Sequence, residues 1–217
     1  MRENGLRNIY EVSPSEEAAN AITHAVMSLA CLVAIAPAAI SAYLKGGPLQ
    51  ATAVTVFILC LFAMFTGSAF YHLMPFHTTY KFVSRLFDHI FIYFAIAGTY
   101  TPIALCLIKG WQGTLIFMIQ WSMVIIGIFY KLFSKKSIPW LSVGIYLVMG
   151  WSAIMFMPIL LQRASTMFLS LIVLGGVLYS IGVYFYSQKK KKYFHSIWHI
   201  CINLASIAHF IAIIFYM

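Results

Sequence analysis

The feature that most constrains this chain is a series of apolar runs, each about as long as a bilayer is thick. They fall roughly at 21–44, 50–74, 86–108, 112–130, 139–161, 165–187 and 194–217. A hydrocarbon core of about 30 Å takes about 20 helical residues to cross. Hydrophobic residues make up 62% of the chain and charged residues 9%, and mean hydropathy is +0.89. A soluble domain is about half apolar and a quarter charged, so this chain is built for lipid. A helix satisfies its own backbone hydrogen bonds where water is absent. The alternating segments of about ten residues that mark a membrane β-barrel are missing. The expected fold is all-α: a polytopic seven-transmembrane-helix bundle over residues 21–217, preceded by a cytoplasmic tail over 1–20.

The gaps carry glycine and proline ("KGGP", "IKGWQG") and nearly all the charge. Trp111, Trp140 and Trp198 stand near run ends, where interfacial aromatics belong. Arg2, Arg7, Lys81, Arg85, Lys131, Lys135, Lys136 and Lys189 to Lys192 share one side, eleven in all, against Lys45, Lys109 and Arg163 on the other. The excess of Lys and Arg in cytoplasmic loops puts the N-terminus in the cytoplasm and the C-terminus outside. The net charge of +9 is thus a topology signal, and no nucleic-acid partner is expected. The opening residues pair two arginines with four glutamates, unlike the basic leader of a signal peptide, so the first run is expected to stay. Cys31, Cys60, Cys106 and Cys201 all lie inside apolar runs without a C-x-x-C pair and read as small hydrophobes.

Polar residues inside such runs are costly and point to function. Asp88 is the only aspartate, and no acid follows it. Under the derived topology Ser68 and His72, Asp88 and His89, His195 and His199, and Asn20 and His24 all come to the cytoplasmic leaflet. Residues four apart share a helix face. His195 and His199 can therefore face one ion together, and Ser68 and His72 share a face likewise. Two histidines from one helix and a third from another make the three-ligand, one-open-position pattern of catalytic zinc. Asp88 is placed to orient or deprotonate a water there, with Ser68 as a second hydrogen-bonding group.

Other readings stand beside this one. Asp88 suits the positive end of the third run as a cap. Ser68, His72 and Asp88 have the residue types of an acyl-transfer triad, although no G-x-S-x-G elbow surrounds the serine. His77 reads as a loop histidine. His89 points about 100° from Asp88, toward a neighbouring helix. His209 lies about 20 Å deeper than His195 and outside the ion's reach.

The stretches "EEAANAITH" (16–24), "SAFYH" (68–72), "RLFDHIFIYFAIAGTYTP" (85–102) and "HSIWH" (195–199) resemble the bacterial hemolysin III proteins. That family lies within the progestin and adipoQ receptor (PAQR) group and is similar to the alkaline ceramidases. The resemblance covers essentially the whole chain. It implies a seven-helix bundle in the bacterial plasma membrane with Zn2+ near the cytoplasmic side. His72, His195 and His199 match the family's metal ligands, and Asp88 and Ser68 its water-associated residues. It also implies an association with cytolysis. The long N-terminal domain of the animal receptors has no counterpart, so no protein hormone is expected. The leading expectation is a zinc-dependent hydrolase acting on a membrane lipid amide or ester, with membrane lipids as partners. A non-enzymatic regulator or sensor with structural zinc and a pore-forming cytolysin are the alternatives. Spans 4 to 6 hold no ionisable residue within their apolar stretches, which speaks against an ion path.

Overall fold

The computed structural model describes residues 10–133, 138–188 and 190–217. Arg2, Arg7, Lys135, Lys136 and Lys189 from the topology count lie outside them. The described residues are helical throughout their regular structure, with no strand. The helices are α1 (Pro14–Leu73), α2 (Thr79–Pro102), α3 (Gly110–Phe133), α4 (Pro139–Trp151), α5 (Met157–Arg163), α6 (Thr166–Ser187) and α7 (Phe194–Phe215). By length and composition, six stretches can cross a membrane, with α2 extended to Ile108 and α4 and α5 counted together from Trp140 to Arg163.

Helix α1 starts within the stretch expected to be tail. Ser13 and Glu16 form a capping box and Pro14 occupies the first turn, which satisfies the amides a helix start leaves open. Its 60 residues comprise two helical legs that meet at Gly46 and Gly47. Gly47 sits at φ 72, ψ −165, a conformation open essentially to glycine alone. The legs fold back on each other, since Ser28 Oγ bonds Thr66 Oγ1 at 2.6 Å and His24 meets the Phe65 ring at 5.1 Å.

Helix α2 passes through Pro102 into a π-helical stretch, Ile103–Ile108. Between α4 and α5 a 3-10 stretch, Ser152–Phe156, precedes Pro158. A proline removes one amide and disturbs the carbonyl a turn before it, and here a polar knot gathers at the break. The Tyr100 hydroxyl donates to the Gly150 carbonyl (2.7 Å) and accepts from the Ala153 amide (2.8 Å). Gln120 Nε2 donates to the Ser152 hydroxyl (2.8 Å) and the Met149 carbonyl (3.2 Å).

Helix α1 packs on α2 and α7, α2 on α3 and α4, and α6 on α4 and α7, which closes a ring. Large apolar side chains such as Val33, Leu44, Ile126 and Leu161 face outward. Glu16, Asn20, His24, His72, Lys81, Asp88 and His199 are buried. The four cysteines are free, and all but the half-buried Cys106 are buried. An apolar exterior with the charged and polar groups turned inside suits lipid as the solvent. Trp111 and Trp140 are exposed, as interfacial anchors should be. Trp198 instead packs edge-on against His195, with ring centres 4.8 Å apart, and at a tilt against Tyr186, 4.7 Å away.

Candidate metal centre

The site forms where four helix ends meet: the start of α1, the end of its second leg, the start of α2 and the start of α7. Ser68 and His72, one turn apart on the second leg, are both buried. His195 and His199 occupy the first turns of α7, and its entry residue, Tyr193, is left-handed at φ 60. The Tyr193 amide donates to Glu16 Oε1 at 2.6 Å, which ties the start of α7 to the start of α1.

The structure brings His72, His195 and His199 together, each offering a ring nitrogen within 4.8 Å of the other two. Ring centroids are separated by 5.1 Å (His72–His195), 5.0 Å (His72–His199) and 4.8 Å (His195–His199). A metal requires each of these imidazoles neutral with one ring nitrogen free. Their outer contacts settle which nitrogen is available. His72 Nδ1 donates to Glu17 Oε2 at 2.8 Å. His199 Nδ1 lies 3.2 Å from both the Asn20 carbonyl and the Thr23 hydroxyl oxygen. With Nδ1 engaged, the lone pair falls on Nε2, and the Nε2 atoms of both His72 and His199 are buried without a partner among the described residues. Orphaned acceptors aimed at one point, each with its far nitrogen anchored, are what metal-ligating histidines look like. The three histidines could hold a metal ion.

Asp88 stands outside this ligand set but lines the same internal cavity as Ser68, His72 and His195. It is buried, with Arg85, Lys131 and Lys81 as the cations around it. Ser68 lies against Asp88, although its buried hydroxyl makes no well-formed hydrogen bond among the described residues. The cavity, about 290 Å³, continues away from the histidines past Ile92, Ile96, Thr99 and Tyr100 to Leu160 and Phe168. The histidine cluster, Ser68 and Asp88 therefore open onto a chamber whose lining is mostly apolar.

Several histidines differ from the sequence expectation or extend it. His89 turns its Nδ1 back onto its own helix, where it donates to the Arg85 carbonyl at 2.8 Å and lies 3.6 Å from Asp88 Oδ2. Its backbone carbonyl accepts the Tyr146 hydroxyl at 2.8 Å. His209 donates to the Ile172 carbonyl of α6 at 3.2 Å, away from the cluster. His77 pairs with Glu11 at 2.8 Å on the surface. His24 stacks face to face on His199 at 3.7 Å and 5°.

Glu17, Thr23 and Lys81 were missed as site residues. Lys81, counted among the loop cations, is fully buried and bonded to Glu17 at 3.1 Å. Lys131 is likewise buried and donates to the Ser142 hydroxyl at 2.8 Å. A signal did exist for the first group: Glu17, Asn20 and His24 stand at i, i+3 and i+7, one helical face. It becomes visible once the helix starts at Pro14.

An all-helical chain with a lipid-facing exterior and a buried histidine cluster at one end is a multi-pass membrane protein with a candidate metal centre. The chain belongs to the haemolysin-III related family, whose model matches residues 12–210. It is 37% identical over 201 residues to the hemolysin-3 homolog of Bacillus subtilis (strain 168), covering 93% of this chain and 94% of that one. It is 32% identical over 202 residues to hemolysin-3 of Bacillus cereus (93% and 92% covered). The human monocyte to macrophage differentiation factor is more distant, 25% identical over 209 residues (94% and 85% covered). No solved structure matches the chain.

Proposed function

We propose that this protein is a zinc-dependent hydrolase of a membrane lipid amide or ester, working at the cytoplasmic leaflet of the bacterial plasma membrane. In this reading each leg of α1 crosses the bilayer, so the bundle has seven spans, with the N-terminus inside and the C-terminus outside. The observation that carries the proposal is the pair of orphaned, buried Nε2 atoms of His72 and His199 beside a mostly apolar chamber. An all-nitrogen set of three ligands suits zinc and leaves one position open.

His72, His195 and His199 hold the ion, which when bound supplies the Lewis acidity that polarises an acyl carbonyl and acidifies water. Asp88 takes the proton from the attacking water and returns it to the leaving nitrogen or oxygen as the acyl bond breaks. Ser68 orients the water or the carbonyl oxygen through its uncommitted hydroxyl. The apolar chamber beyond Ile92 and Ile96 takes the lipid's hydrocarbon and excludes bulk water.

The test is elemental analysis of the detergent-purified protein beside a screen of lipid amides and esters. Wild type should carry about one zinc per chain, as three ligands on a single ion require. His199→Ala should lose it, and Asp88→Ala should keep the metal while losing turnover. Wild-type turnover in Asp88→Ala would end the proposed proton path, and a metal-free wild type would end the zinc reading.

The relatives named hemolysin-3 favour a second reading, a lytic protein. It predicts dye release from lipid vesicles by purified protein irrespective of Asp88. Hydrolysis instead predicts that leakage from vesicles, where it occurs, follows lipid turnover and stops in Asp88→Ala.

A further inference from the structure

The carboxylate of Glu17 is fully committed at the interface of the two α1 legs. Oε2 accepts from His72 Nδ1 at 2.8 Å and Oε1 from the Lys81 ammonium at 3.1 Å. The side chains are 12% (Glu17), 4% (His72) and 0% (Lys81) exposed. Lys81 is itself clamped, its ammonium 4.3 Å from the centre of the Tyr71 ring and 4.5 Å from that of Phe76. An ion pair with Lys81 would occupy only one oxygen. The other faces the nitrogen of His72 opposite to the one turned into the cluster.

From this geometry we propose that Glu17 is a positioning residue of the metal centre, acting through His72, and that its ion pair with Lys81, on the other oxygen, contributes to stability and not to metal binding. The inference rests on the metal site formed by His72, His195 and His199. By accepting the Nδ1 proton, Glu17 keeps the lone pair on Nε2 and fixes the plane of the ring. It does for His72 what the Asn20 carbonyl and Thr23 hydroxyl do for His199. The first turns of α1 thereby supply the outer support of ligands carried by its own second leg and by α7. Loss of such an outer partner typically costs about 10- to 100-fold in metal affinity.

The experiment measures zinc affinity by competition with a chromophoric chelator, and the melting temperature of the metal-free form, on the full chain in detergent. Glu17→Ala should bind zinc roughly 10- to 100-fold more weakly. Glu17→Gln, whose amide oxygen still accepts the Nδ1 proton, should recover a large part of that loss. Lys81→Met should melt lower than wild type yet bind zinc nearly as well. The proposal is overturned if folded Glu17→Ala binds zinc like wild type, if Gln is no better than Ala, or if Lys81→Met loses as much affinity as Glu17→Ala. A wild type that binds no zinc would remove the metal site and this role together. Normal wild-type binding with an indifferent Glu17 would remove this role alone.

Discussion

At the scale of single residues, two kinds of buried polar group bear on stability and function: those bonded within the protein and those that a ligand would complete. Lys131 illustrates the first case, with its ammonium bonded to Ser142 inside the bundle. Ser142→Ala leaves that cation short of a partner, and interhelical hydrogen bonds in membranes average about 0.6 kcal/mol and reach about 1.7. We expect a stability loss of about 1 kcal/mol in a detergent unfolding titration, with metal content unchanged. His72 and His199 illustrate the second case, each with one nitrogen anchored and the other orphaned. These histidines, Ser68 and Asp88 were legible in the sequence because ionisable residues are rare in apolar runs and their helical spacing is fixed. Glu17 and Lys81 were not, because both lie beside run ends, where charges are ordinary. Only packing shows that they are buried against each other.

At the scale of helices, the breaks are placed by residues that leave the backbone no alternative. Gly47 at φ 72, ψ −165 reverses α1. An alanine there is strained by about 1–3 kcal/mol, so Gly47→Ala should lower the melting temperature and leave the histidine cluster competent for zinc. At the break between α4 and α5 the Tyr100 hydroxyl serves the Gly150 carbonyl and the Ala153 amide together. Tyr100→Phe keeps the ring and removes both bonds. A cost of about 1–2 kcal/mol is expected by the same unfolding titration. Glycine marked the reversal of α1 in the sequence, at "KGGP", whereas the break between α4 and α5 falls inside a single expected run, 139–161. The side chains that repair that break, Tyr100 and Gln120, come from other helices and are called by no local pattern.

At the scale of the whole molecule, the two ends of the bundle differ in chemistry. The histidines, Asp88, Lys81 and Lys131 gather at one end. At the other, Lys45 donates to the Ile214 carbonyl at the end of α7 (2.6 Å) and Arg163 to the Ile108 carbonyl. Cations suit those positions because helix C-termini carry partial negative charge. The proposed orientation puts this second end outside. Alkaline phosphatase fused to the C-terminus should then be active in cells, and a fluorescent protein fused there should stay dark. The reverse pattern would invert the topology. Metal binding requires neutral imidazoles, so protons compete with zinc: the ion is held at neutral pH and released as the pH is lowered. Whatever stability the ion contributes is lost in the same direction, which melts with and without chelator at two pH values will show.

The sequence by itself determined that the chain is helical and lies in a membrane, because apolar length and backbone hydrogen bonding leave few other solutions. It also put Ser68 and His72, and His195 and His199, on shared helix faces, because spacing of four on a helix is a local fact. Tertiary structure alone decided which nitrogen of His72 and of His199 faces inward, and that the start of α1 props up the site. Those depend on distances between side chains far apart in the chain, such as Glu17 to His72 and Thr23 to His199. Helical periodicity says which way a side chain points, and only packing says what it meets.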